Sequence, residues 1–452
     1  MTDRKSLTLD RRGFGKLALG SAAAIGAGNW GRAAFADDAT AAYHAANIDW
    51  RQAAGQTIQL AGATHPWSAA ITPLIPQFTA LTGIKVETDY QSEAEYTAAL
   101  PIRLGSGSPT PDVFMFISYG QGIGAGWLEP LDAMYADKTL MDPAWYNEAD
   151  LLGAARDFPV WSNKQRYAFP ITTEAQIMFF NQPMLDKKGV AVPKTFDALL
   201  TAAEKLNTPD VAGIAMRAKA AGSATAASMG FVFSYGGQLV QDGRAAFDSP
   251  EAIAAMEIYG EMLRKAGPIG VGTYDWYEVL NDYTQGAAAI ASDSSNFAGT
   301  IADPTKSRAA GKTTFTSIVS DGSHAPTPYM SCWQACINSK SAKKKAAFLF
   351  LQWATSQPTS LLTAFAGLAT TRSSAWSSAA FKKAFGTQAA DAALYSLSHA
   401  SIAPSKAALF HPQAPQIFDA FAIATNQIVT GHVSAKDALT KAAKTVNAVI
   451  RP

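Results

Sequence analysis

The chain reads as an α/β protein folded in two lobes, and three observations carry that reading. It has 452 residues, and at ~100–200 residues per domain two large lobes are the simplest division. Its residues are 48% apolar and 16% charged, which supplies a packed core and excludes disorder as the general state. Near its start the apolar period alternates between strand and helix values, the pattern of a parallel sheet covered by helices.

The elements follow in order. Residues 1–36 stand apart as an export leader. Asp10-Arg11-Arg12-Gly13-Phe14-Gly15-Lys16 resembles the twin-arginine signal. The weakly apolar stretch from Leu17 to Gly28 is too short to span a ~30 Å bilayer core, and Ala34-Phe35-Ala36 offers a cleavage site after Ala36. Alternation of Ile58 and Leu60 predicts a strand over 57–61. A helix over 73–82 buries Leu74, Phe78 and Leu81, holds Pro73 and Pro76 in its first turn, and ends at Gly83. A second strand covers 84–88, a helix covers 93–104, and the continuous apolar run over 112–117 fits a buried parallel strand. Ligands of such sheets sit outside the carboxyl ends of the strands. That rule singles out Thr64, His65 and Trp67, then Gln91 and Glu93, then Ser118 and Tyr119.

Farther along, 175–180 reads as a strand. Thr195 caps a helix, and Asp248-Ser249-Pro250-Glu251 opens another with Asp248 as its cap. Residues 287–291 and 332–338 read as strands, and the last hundred residues are mostly helical.

Several function classes lose support. With 37 basic against 36 acidic groups, there is no surplus to neutralise nucleic-acid phosphates. Gly120-Gln121-Gly122-Ile123-Gly124-Ala125 fits a degenerate dinucleotide fingerprint but follows the third strand and meets Pro130, so it reads as a Gly-rich loop. The six His are scattered without a zinc-protease pattern. Neither cofactor nor metal is expected. Cys332 and Cys336, four apart in a strand, lie ~13 Å apart at ~3.3 Å per residue, beyond disulfide reach.

Taken in order, several segments resemble the extracellular solute-binding proteins of ATP-binding-cassette importers, in the carbohydrate and polyol branch. They are Thr110-Pro111-Asp112-Val113, Gly126-Trp127-Leu128-Glu129-Pro130-Leu131, the run from Phe169 to Ala175 into Met178-Phe179-Phe180-Asn181, Gln285 to Ile290, 335–341 with Ala346-Ala347-Phe348 and Trp353, Thr371-Arg372-Ser373, and Thr430-Gly431. The resemblance implies a two-lobe periplasmic binding protein fold, its lobes joined by crossing strands and closing on a solute. One lobe would hold 37–170 and 291–338, the other 171–290 and 339–452. The crossings would fall at 169–181, at 287–293 and near Ser339. It also implies a periplasmic monomer that hands its solute to a membrane permease and performs no chemistry on it. A secreted glycoside hydrolase with a carboxylate pair, and a binder of anionic or phosphorylated solutes with several cleft cations, are the rivals.

Candidate ligand residues follow from chemistry and resemblance together. Glu174 matches a family position that binds sugar hydroxyls, and a carboxylate accepts two such bonds with charge assistance. Asp293 and Asn296 share that logic, the alternative being a helix cap. Ser118, Tyr119 and His65 sit at predicted strand ends. Trp67, Trp276 and Trp333 are stacking candidates, with a core Trp as the alternative. Trp333 stands where many relatives carry a small residue, which would narrow the pocket. Tyr235 precedes Gly236-Gly237, where backbone can approach a ligand. Arg372 resembles a family Arg that reaches the cleft, the alternative being a solvated surface Arg.

Overall fold

A computed structural model of the chain describes residues 39–400 and 402–450. The expected export leader and its expected cleavage site lie outside the described residues. Residues 39–46 form a separate small unit, and the remainder is built on two mixed sheets.

The first sheet contains β1 (Thr57–Ala63), β2 (Lys85–Gln91), β3 (Val113–Phe116) and β4 (Ala168–Pro170). The second contains β5 (Glu174–Asn181) and β6 (Ala212–Ala215). A small hairpin, β7 (Val240–Gln241) with β8 (Arg244–Ala245), follows. Then come β9 (Ala288–Ser294), β10 (Thr313–Ser317), β11 (Met330–Ser331) and β12 (Gln334–Ile337). The first sheet runs β2-β1-β3-β12-β4 and the second β10-β5-β9-β6, with β11 paired to the start of β5. β1, β2 and β3 are parallel, so His65, Ser92 and Ser118 follow three neighbouring carboxyl ends. In the second sheet β6 and β9 are parallel and β5 runs against β9. The ends of β6 and β9 and the beginning of β5 therefore share one edge.

The opening elements agree with the sequence pattern. The helix Ile75–Thr82 ends at Gly83 in the left-handed conformation, φ 74°, which glycine adopts without a Cβ clash. The Pro73 turn is a separate 3-10 segment, Thr72–Leu74. Thr195 caps Phe196–Leu206 as expected, whereas Ser249, and not Asp248, caps Pro250–Ala266 by accepting from the Ala252 N–H. The 120–125 segment is not a loop. Tyr119–Gly124 is a short helix, and Gly120 is there for packing, because a Cβ would run into the Phe410 carbonyl.

The two sheets are joined at 171–173, between β4 and β5, and at 332–333, between β11 and β12. The first falls within 169–181. The other expectations are corrected. β9 does not cross at 287–293, because five of its residues pair with Gln176–Phe180 inside the second sheet. β10 and β11 also pair with β5, which keeps 291–331 with the second sheet. The return falls at 332–333, ahead of Ser339. Helix Lys344–Ala354 then packs on the first sheet's helices, Phe350 and Trp353 against Phe78 and Phe348 against Tyr135. An apolar strand reads alike wherever it pairs; only the partner decides its lobe.

Candidate functional site

A cavity of about 490 Å³ opens where the strand ends of the two sheets face each other. His65, Ser118, Glu174, Trp276, Asp293, Asn296 and Trp333 line it, so seven of the eleven expected residues converge there.

His65 is placed by its backbone. It caps the helix Pro66–Ile71, its Nδ1 accepting from the Trp67 N–H at 3.1 Å while Ser68 bonds back to the His65 N–H. With Nδ1 an acceptor, Nε2 carries the proton, and Nε2 lies 3.3 Å from Glu174 Oε1. Glu174, at the first position of β5, also accepts from Thr172 Oγ1 at 2.7 Å and Ser294 Oγ at 2.5 Å. Burial pushes its pKa up, but the adjacent His65 and the two hydroxyls outweigh it and hold the carboxyl below the ordinary glutamate range. Glu174 is thus an oriented anion joining a first-sheet helix cap to the second sheet.

Asp293 sits near the carboxyl end of β9 and receives Arg217 at both oxygens, the Nε bond being 2.8 Å. Arg217 Nη1 bonds the Ser223 carbonyl at 2.7 Å and lies 3.7 Å from Asp275. Burial lowers the guanidinium pKa, but Asp293, Asp275 and Glu93 together raise it. Asp275 in turn caps Trp276–Gln285, accepting from the Trp276 N–H and from Ser223 Oγ at 2.6 Å. The cap fixes Trp276 at the cavity wall, stacked on Tyr277 with ring centroids 3.6 Å apart.

Asn296 accepts the Ala369 N–H at 2.7 Å through Oδ1, and its Nδ2 has no partner among the described residues; the same holds for Trp276 Nε1. Both side chains are more than nine-tenths buried. A hydroxylated solute supplies the acceptors that such unsatisfied buried donors lack. Trp333 occupies the second crossing, its ring 5.7 Å from that of His65.

Four expected residues are elsewhere. Trp67 is 1% exposed in the first-sheet core. The Tyr119 hydroxyl donates to the Cys332 carbonyl, and its ring meets Phe158 and Phe410. Tyr235 stacks on Phe196, outside the cavity. Arg372 is buried, donating to the Thr355 and Asn147 carbonyls at 2.8 and 2.9 Å and lying over the Tyr146 ring, so it ties loops together and does not reach the cleft. Cys332 and Cys336 are free, buried thiols.

Residues outside the expected set complete the wall. Arg217, Tyr329 and Glu93 line the cavity, and the Tyr277 hydroxyl bonds the Thr64 carbonyl and the Glu93 N–H. Glu93 follows β2, where the strand-end rule points. Arg217 follows β6, whose four residues are too short for periodicity to reveal.

Residues 61–359 match the family described as bacterial extracellular solute-binding protein. The chain belongs to that family. It is a solute-binding protein of an importer, and not an enzyme. The erythritol/L-threitol-binding protein of Mycolicibacterium smegmatis is 29% identical over 336 residues, 68% of each chain. The mannitol-binding protein of Pseudomonas aeruginosa is 30% identical over 238 residues, about half of each (51% and 52%). Among solved structures, an ABC-transporter solute-binding protein from Agrobacterium radiobacter K84 in complex with ribitol superposes with a TM-score of 0.81 at 21% identity, covering 88% of this chain and 100% of that one. The last shares the two-lobe periplasmic binding protein fold.

Proposed function

We propose that this solute-binding protein captures a polyol or small carbohydrate in the cavity between its sheets and delivers it to an ABC permease. Buried hydrogen-bonding groups without a protein partner carry the reading: the Trp276 and Asn296 donors stand in the same cavity as the Glu174 and Glu93 carboxylates. A polyol offers an acceptor and a donor at every hydroxyl, and enclosure is favourable only if each lost water bond is replaced. Trp276 and Trp333 supply flat faces for its carbon chain. The names of the two relatives, erythritol/L-threitol- and mannitol-binding, favour an open-chain polyol. The anionic alternative lacks cations, since Arg217 and His65 are the only basic side chains on the wall among the described residues.

In this proposal Glu174, His65, Asn296 and Trp276 hold the solute, with Glu93 as an additional acceptor. Arg217 positions Asp293. The precursor is exported by the twin-arginine route and cleaved after Ala36, as a periplasmic monomer. A thermal-shift screen over tetritols, pentitols, hexitols and aldoses tests the solute class. A bound ligand at 100 times its Kd raises stability by about 2.7 kcal/mol. Stabilisation by at least one polyol is expected; no shift with any of them, at millimolar concentration, overturns the assignment.

A further inference from the structure

The cavity wall carries more acid than a neutral solute requires. Glu93, Glu174, Asp293 and Asp419 line it against Arg217 and His65, and Asp275 stands behind, 3.7 Å from Arg217. Arg217 is matched by its two-point pair with Asp293. His65 presents one proton, on Nε2, to Glu174. Helix N-termini at Pro66, Glu93 and Trp276 add partial positive charge, roughly half a unit each, which leaves the carboxylates in excess.

Glu93 is the carboxylate left over. It is half-buried at the start of the helix Glu93–Gly105, and no described side chain or N–H donates to its carboxyl group. Burial drives its pKa to about 7; Arg217 opposes the rise, Asp275 adds to it, His65 opposes and Glu174 adds. A cation beside it would relieve that arrangement. Trp276, Trp333 and Tyr329 line the same cavity, and aromatic faces within ~6 Å attract cations. The carboxylates do not form a metal cage: among the described residues no three His, Cys, Asp or Glu side chains are grouped to hold an ion. The partnerless donors of Trp276 and Asn296 still call for hydroxyl oxygens.

We infer that the solute is a polyol bearing a protonated amine, with its ammonium group beside Glu93 and its hydroxyls on Trp276 and Asn296; this rests on the polyol reading above. The same wall discriminates against carboxylated and phosphorylated polyols by like-charge repulsion.

Calorimetric titration at near-neutral pH and low salt with three near-isosteres tests it: glucamine (glucitol with a terminal amine), glucitol and gluconate, beside erythritol, ribitol and mannitol. Glucamine should bind at least tenfold tighter than glucitol, and gluconate weakest of the three. Glu93→Gln should cut the advantage of glucamine at least tenfold while changing glucitol less. Glucitol binding as tightly as glucamine overturns the inference and leaves the polyol reading standing. An advantage that survives Glu93→Gln overturns the placement of the ammonium. If none of the six compounds binds, both readings fall.

Discussion

Glu93 and Glu174 are two glutamates on one cavity with opposite environments. Glu174 has three donors and is held as an anion; Glu93 has none among the described residues, and burial raises its pKa to about 7. The linkage has a definite sign. A carboxyl whose folded pKa lies above its unfolded value of about 4.5 favours the fold below that value, and its contribution is lost as pH rises through about 7. The unliganded protein should therefore lose stability over that window, by no more than about 3 kcal/mol and by less in proportion to the solvent access of Glu93. Glu93→Gln should remove this slope, so the difference between variant and wild type in urea melts should grow from pH 5 to pH 8. A constant difference would show that Glu93 does not titrate there. The sequence marks Glu93 as a strand-end position and Glu174 by family resemblance. It does not reveal their difference, because the donors around Glu174 come from residues 65, 172 and 294.

At the scale of elements, helix caps organise the site. His65, Ser92 and Asp275 each make a capping box, and each thereby fixes a helix whose first residues face the cleft. The third cap also aims Tyr277, whose hydroxyl donates to the Thr64 carbonyl at 3.1 Å and accepts the Glu93 N–H at 3.4 Å. One side chain on a second-sheet helix thus grips two backbone groups at the ends of β1 and β2. These bonds exist only while the sheets' edges are close, so they should stabilise the closed arrangement without touching the solute. Tyr277→Phe removes both. At about 0.5–1.5 kcal/mol per bond, ligand dissociation should accelerate roughly fivefold or more, with the association rate little changed. Stopped-flow tryptophan fluorescence reads the rates. Small-angle scattering of the unliganded variant should give a radius of gyration no smaller than wild type. An unchanged dissociation rate would leave Tyr277 a packing residue. Capping boxes are local, and Asp275 and Glu278 are three apart in sequence; the grip of Tyr277 on residue 64 is not local and has no sequence signature.

At the scale of the whole molecule, the fold serves a solute-binding protein of an importer, which must reach the outside of the cytoplasmic membrane. The proposed twin-arginine route rests on Arg11-Arg12 and Ala34-Phe35-Ala36. Replacing both arginines by lysine should leave precursor in the cytoplasm, and the exported wild-type protein should begin at Asp37; normal export of the double variant would rule out the twin-arginine signal. Among the described residues no helix is long and apolar enough to cross a membrane. By itself the sequence determined the α/β class, the order of β1, β2 and β3 with their helices, and the strand ends on which His65 and Ser118 stand, because periodicity reports burial and direction along a local run; Glu174 and Asp293 came from the family resemblance. Only the tertiary structure decided the rest: that β9 stays in the second sheet, that the return falls at 332–333, that Tyr119 and Arg372 serve packing, and that Arg217 meets Asp293 while Glu93 meets no donor. Those outcomes depend on pairings between residues far apart in the chain, and a local pattern is the same whichever distant partner it finds.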